Sequence, residues 1–260
     1  MSLMQITINK GIAQLTLDNP PLNVVTVDLT QQISDTLDDL AADPNVQVLV
    51  LTGAGDRVFC AGSDIKEFTA FIGPEGRVLE RKLIAENAMY SKLNKFPKPT
   101  IAALNGHALG GGLEMAVCCD LLVVSETARL SLPEVNLGVI PGSGGTIRVT
   151  RRIGEGRAKE MMLLGEPIDA QKALDWGLVN RVVPTDQVLE TALELAAKLA
   201  ALPNLALQCC KKSIDLSFDT TDDDAIQQTL SLSEIVFQSD DASEGARAFF
   251  AKEKPTFKHS

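Results

Sequence analysis

Gly110-Gly111-Gly112-Leu113-Glu114 carries three glycines straight into the start of a helix that bears an acid. The run follows an apolar segment of strand length, Pro99-Thr100-Ile101-Ala102-Ala103-Leu104, and opens into Leu113 to Cys119, whose composition suits a buried helix. The first turn of a helix has N–H groups with no acceptor inside it, and the aligned peptide dipoles place partial positive charge at that end. Residues without Cβ let a ligand reach those donors. The stretch therefore suits an anion, or an oxygen that becomes one during a reaction. Glycines that merely let helix and strand pack closely would read the same way. A second acid, Glu134, follows Pro133 further along the chain.

Working outward, Gln5 to Thr7 and Ile12 to Leu17 alternate apolar and polar residues around Asn9-Lys10-Gly11, which predicts a hairpin. From Thr26, a good helix cap, Leu29, Ile33, Leu37 and Leu40 mark one helical face that ends at Asp43-Pro44. Val46 to Leu51 is a continuous apolar run, as expected of a strand covered on both faces. Strand, helix, strand in that order predicts a parallel crossover layout. Phe59 to Phe68 reads as a turn into a short helix, and a helix is expected to run to about Lys95. Leu121 to Val124 and Arg129 to Leu132 read as strands. Beyond a second glycine-rich loop, Gly138 to Gly145, the pattern is almost wholly helical, with Leu189, Ala192, Leu193, Ala196 and Leu199 forming one apolar stripe. From about Leu205 the helices have mixed faces and read as an appendage to the core.

At 260 residues, with 45% hydrophobic and 22% charged, the composition is that of an ordinary globular protein with one substantial core. The excess of 34 acidic over 24 basic residues, net −10, speaks against a nucleic-acid partner, which needs clustered Lys and Arg. Five cysteines, mostly in adjacent pairs, and two histidines suggest neither a disulfide framework nor a metal site. No leader or membrane-spanning segment is read, and a cytoplasmic protein with no membrane partner is expected.

Several tempting features have simpler readings. Gly53-Ala54-Gly55 lacks the third glycine of a dinucleotide fingerprint, and Ser143 lacks the flanking glycine of a nucleophile elbow. His107 and Asp120 read as structural, and Asp222-Asp223-Asp224 as the acidic first turn of a helix. The joint pattern is what points to chemistry. The turn at Phe59 to Ser63 offers a second set of N–H donors, and two donors converging on one oxygen make an oxyanion hole. Glu114 and Glu134 both lie beside such glycine-containing turns, and a carboxyl pair can divide base and acid roles.

Phe59-Cys60-Ala61-Gly62-Ser63-Asp64-Ile65-Lys66-Glu67, Asn105-Gly106-His107-Ala108-Leu109-Gly110-Gly111-Gly112-Leu113-Glu114 and Pro133-Glu134-Val135-Asn136-Leu137-Gly138-Val139-Ile140-Pro141-Gly142 resemble the three signature segments of the crotonase, or enoyl-CoA hydratase/isomerase, superfamily. The resemblance implies an α/β fold, a spiral of ββα units over residues 1–200, and a C-terminal helical oligomerisation region, 201–260, that builds homotrimers, often paired as hexamers. It implies that the backbone N–H groups of Ser63 and Gly111 hold the thioester oxygen of an acyl-CoA. Both glutamates are present, which favours hydration of a trans-2-enoyl-CoA. By that analogy Glu114 is the base on a water, Glu134 delivers the proton to the α carbon, and the Gly142 N–H helps position the water. No cofactor is implied beyond the CoA of the substrate.

Ala61, Asp64 and Ile65 belong to the implied substrate-binding turn. Phe68 and Phe71 are candidates for lining the acyl tail, with core packing as the alternative. Lys66 and one of Lys252, Lys254 or Lys258 are candidates for the CoA phosphates. Ser63 stands where alanine is common, but only its backbone is needed for the implied activity; His107 replaces a frequent aromatic and Ile147 a frequent Gln, departures that bear on acyl specificity rather than chemistry. The competing readings are a double-bond isomerase or a thioester hydrolase of the same superfamily. A non-catalytic binding protein that kept the fold is the third, and both the acidic balance and the intact acids argue against it.

Overall fold

The computed structural model describes residues 2–73 and 76–259. Strands β1 (Met4–Asn9) and β2 (Ile12–Leu17) form the expected antiparallel hairpin. Lys10 at φ 49° and Gly11 at φ 79° close it with the two left-handed residues that a two-residue loop requires. In α1 (Val27–Ala42) the Thr26 hydroxyl accepts the Leu29 N–H at 3.1 Å, and Leu29, Ile33, Leu37 and Leu40 are buried.

From there one pattern recurs: a strand, a short strand that leaves for a second sheet, and a helix. It is built first by β3 (Val48–Gly53), β4 (Val58–Cys60), α2 (Ile65–Thr69) and α3 (Ile84–Asn94). A second round comprises β5 (Thr100–Leu104), β6 (His107–Leu109) and α4 (Gly111–Ala116), and a third β7 (Leu121–Ser125), β8 (Arg129–Ser131), α5 (Gly145–Ile153) and α6 (Glu155–Leu164). Then come β9 (Ile168–Asp169), α7 (Ala170–Trp176), β10 (Arg181–Val183) and α8 (Val188–Ala200), and last the helices α9 (Asn204–Asp219), α10 (Asp222–Phe237) and α11 (Asp240–Ala251).

The larger sheet runs β1-β2-β3-β5-β7-β10 and the smaller β4-β6-β8-β9. Pairing is parallel except in the first hairpin and between β8 and β9. The central strands show why their sequences are continuously apolar. Val48, Val50, Ile101, Ala103 and Val123 face one way and pack under α8, while Leu49, Leu51, Ala102, Leu104, Leu122 and Val124 face the main core. Both faces being covered, neither alternate set can be polar. The fully buried positions of α8 are Val188, Ala192 and Ala196, with Leu189, Leu193 and Leu199 flanking them half-buried. The predicted stripe is thus centred on alanines, which let the helix lie close on the sheet.

Three local departures from the sequence reading bear on the site. The helix expected from Leu113 to Cys119 runs from Gly111 to Ala116. The stretch beyond Gly145 is interrupted by β9 and β10, too short to carry any periodicity. The helix preceding Lys95 opens with a wide π turn, Leu79–Leu83, before becoming α3. Among the described residues no helix is long and apolar enough to cross a membrane, and no cluster of His, Cys, Asp or Glu has metal-binding form.

Candidate active site

The C-terminal end of β4 and the start of α4 are pressed together. A Cβ added at Gly112 would stand 2.2 Å from the Cys60 carbonyl oxygen, so only glycine permits the contact. One residue earlier, a Cβ at Gly111 would stand 3.2 Å from the Ser63 nitrogen, and one at Gly62 would stand 3.3 Å from the Gly111 nitrogen. The two glycine turns singled out in the sequence are therefore neighbours in space. Val25 fixes the first by accepting the Asp64 N–H at 2.9 Å and donating to Gly62 O at 2.8 Å, a pattern that passes over the Ser63 N–H. Gly111 is the first residue of α4, where the N–H has no intrahelical acceptor. From α3 the buried Tyr90 hydroxyl donates to Gly111 O at 2.8 Å and holds that turn from behind.

Glu114 is 3% exposed. Its Oε1 accepts the N–H groups of Ser143 at 2.9 Å and Gly145 at 2.8 Å, so the second glycine loop clamps one oxygen of the carboxyl group. Burial is the main cause that pushes its pKa up, to about 7, against the lowering pull of the Gly145 hydrogen bond, and Glu134 and Glu86 push it further the same way. Glu134 opens the 3-10 turn Glu134–Leu137, and its pKa is likewise raised by burial. Its Oε2 is buried without a hydrogen-bond partner. Its Oε1 lies against Gly110, where an added Cβ would stand 2.9 Å away on a backbone held at φ 50°.

Both acids line one cavity of about 260 Å³ together with Ala61, Ser63, Ile65, Phe68, Gly111 and Gly142. Apolar side chains from three further places complete it: Ile72 beyond α2, Leu83 at the end of the π turn, and Leu137, Val139 and Ile140 around the 3-10 turn. The cavity thus joins open N–H donors, paired carboxyls and an apolar wall, which suits a ligand with one oxygen to be polarised and an apolar tail.

Other residues named from the sequence stand elsewhere. Asp64 caps α2 by accepting the Lys66 N–H at 2.7 Å, and Lys66 itself is exposed. Phe71 lies past the end of α2, with the Arg81 guanidinium 5.8 Å from its ring centre, and does not line the cavity. Lys252, Lys254 and Lys258 are exposed at and beyond the end of α11, also outside the cavity wall. His107 accepts the Arg129 N–H through Nδ1 at 3.0 Å, and Ile147 is exposed on α5; neither lines the cavity. Asp120 accepts the Thr100 N–H at 2.8 Å, the backbone role expected of it.

The residue that sequence reasoning missed is Glu86. It lines the same cavity, is 1% exposed, and accepts hydrogen bonds from the hydroxyls of Ser63 and Ser143. Its signal was a Lys82/Glu86 pair at i,i+4 spacing, which on an ordinary helix would be a solvated surface pair.

A model of the family described as enoyl-CoA hydratase/isomerase matches residues 7–260. A probable enoyl-CoA hydratase of Bacillus subtilis (strain 168) is 38% identical, with 99% of each chain covered. The 2,3-dehydroadipyl-CoA hydratase of Escherichia coli (strain K12) is also 38% identical over 99% of each chain. Among solved structures, an enoyl-CoA hydratase from Bacillus anthracis superposes with a TM-score of 0.94 at 33% identity, covering 100% of both chains. The fold, the glycine turns and these likenesses agree: the chain belongs to the enoyl-CoA hydratase/isomerase family.

Proposed function

We propose that this protein is an enoyl-CoA hydratase, adding water syn across the double bond of a trans-2-enoyl-CoA to give a 3-hydroxyacyl-CoA. The observation that carries the reading is the pair Glu114 and Glu134 lining one cavity beside the neighbouring Ser63 and Gly111 backbones. In this reading the thioester oxygen sits between the Ser63 and Gly111 N–H groups, which draw electron density from the conjugated double bond and make its β carbon electrophilic.

Both hydrogen bonds to Glu114 fall on Oε1, which leaves Oε2 to take a proton from water as the water oxygen bonds to the β carbon. Glu134 gives its proton to the α carbon on the same face, and the Gly142 N–H helps hold the water. Glu114 ends protonated and Glu134 ionised, so a proton passes between them before the next turnover. Burial raises the pKa of both acids above the ordinary carboxyl range, that of Glu114 to about 7, a direction that suits carboxyl groups exchanging protons during turnover. Each oxyanion donor contributes about 3 kcal/mol to the transition state, and acid–base transfer a factor of roughly a hundred to ten thousand. The chemistry needs only protein groups and the substrate's own CoA.

Ile65 and Phe68 would meet the acyl chain, while Lys66 and the tail lysines Lys252, Lys254 or Lys258 remain the proposed partners of the CoA phosphates. We assign residues 201–260 to assembly as a trimer or a pair of trimers, since Ile214, Phe218, Ile226 and Leu230 on α9 and α10 are exposed. Five unpaired cysteines suit a reducing compartment such as the cytoplasm.

Product analysis after incubation with short trans-2-enoyl-CoA and 3-enoyl-CoA substrates tests the assignment. The expected product is the 3-hydroxyacyl thioester. A shifted double bond without hydration, or free CoA, would replace it with an isomerase or a hydrolase.

A further inference from the structure

We propose that Glu86 is a positioning residue that ties the Ser63 turn to the loop clamping Glu114, so that the oxyanion donor and the base are held in register by one buried carboxyl group. The Ser63 hydroxyl donates to Glu86 at 3.0 Å (Oε1) and 3.1 Å (Oε2), and the Ser143 hydroxyl donates to Oε2 at 3.1 Å. Ser63 is the residue whose N–H is proposed to hold the thioester oxygen. Ser143 is a residue whose N–H holds Glu114 Oε1. One side chain therefore touches both halves of the proposed machinery through hydroxyls that the chemistry itself does not use.

Glu86 is in turn held by the fully buried Lys82, 3.1 Å from Oε1. The Lys82 ammonium also meets Glu67 at 2.7 Å and donates to Val25 O at 2.9 Å. Glu67 lies on α2 and Val25 braces the Ser63 turn, so the ion cluster binds α2, that turn and α3 together. Lys82 lies within the π turn Leu79–Leu83 and Glu86 in the first turn of α3 that follows it, and π turns interrupt the regular facing of a helix. With both oxygens engaged by hydroxyls and one also by an ammonium, Glu86 has little capacity left to bind substrate. That saturation separates a positioning role from a catalytic one.

The inference rests on the hydratase reading, and the experiment separates their failures. The variants are Glu86→Gln, Ser143→Ala and the double variant, each checked for native melting. Turnover of a short trans-2-enoyl-CoA is read alongside the infrared carbonyl band of bound butanoyl-CoA carrying an isotope label at its carbonyl. Ser143→Ala leaves the Lys82–Glu86 pair intact and cuts only one tie, so it serves even if loss of the Glu86 charge impairs folding. Expected are a drop in kcat of roughly 10-fold to 100-fold for Glu86→Gln with KM within about threefold, and a carbonyl band moved back toward its position in free thioester. The double variant should be no worse than Glu86→Gln, because the two changes act through one link. Wild-type protein that neither hydrates nor shifts the band overturns the hydratase reading and this inference with it. Active wild-type protein whose kcat and band survive Glu86→Gln, or losses that simply multiply in the double variant, overturn the inference alone.

Discussion

Burial decides what Glu114 does to stability as well as to chemistry. Its pKa is raised from an ordinary 4.5 to about 7. The folded chain then binds a proton that the unfolded chain has released, so stability falls as pH rises through that window and stays low above it. A shift of that size corresponds to about 3 kcal/mol. Glu114→Gln keeps an oxygen for the Ser143 and Gly145 N–H groups and removes the buried charge. Urea unfolding should therefore find it nearly as stable as wild type below pH 5 and more stable, by up to about 3 kcal/mol, at pH 8. Equal stabilities at pH 8 would mean that the carboxylate is better solvated than its burial implies. The acids themselves were legible from their places beside glycine turns. Glu86 was not, since its burial depends on Lys82, Glu67 and two hydroxyls that come from separate segments.

At the scale of elements, close approach is the recurring requirement. Gly112 admits the Cys60 carbonyl, and Ala192 and Ala196 bring α8 down onto β3, β5 and β7. Ala196→Leu should lower stability by about 1–3 kcal/mol by overpacking, with kcat little changed because α8 lies across the sheet from the cavity. Gly112→Ala should destabilise by a comparable amount, about 1–3 kcal/mol, and also depress turnover, because it parts the α4 donors from Ser63. Thermal melting paired with turnover distinguishes the two. The long strands and α1 were readable because their patterns last several residues and report coverage on one or both faces. The short β9 and β10 are defined by their pairing partners and leave no such trace. Phe71 shows a related limit. Spaced three residues from Phe68, it would share a helical face, but α2 stops at Thr69 and the chain turns it toward Arg81.

For the whole molecule, the most exposed large apolar side chains among the described residues stand on the last two helices. Phe237 is 78% exposed, Phe249 79% and Phe250 84%, and the Phe249 and Phe250 rings meet edge to face at 5.7 Å, an exposed apolar pair that suits a contact with another chain. Sedimentation should give three or six times the chain mass. Phe249→Asp with Phe250→Asp should shift it toward monomer and lower the melting temperature. A monomeric wild type would remove the assembly role proposed for residues 201–260.

The proposed chemistry has Glu114 and Glu134 acting together on one water. The most direct test follows loss of the conjugated thioester absorbance of a short trans-2-enoyl-CoA with wild type, Glu114→Gln and Glu134→Gln, each verified as folded. Hydration by wild type is expected, with a fall in kcat of at least about a hundredfold in each variant. Rates unchanged in both variants would contradict it.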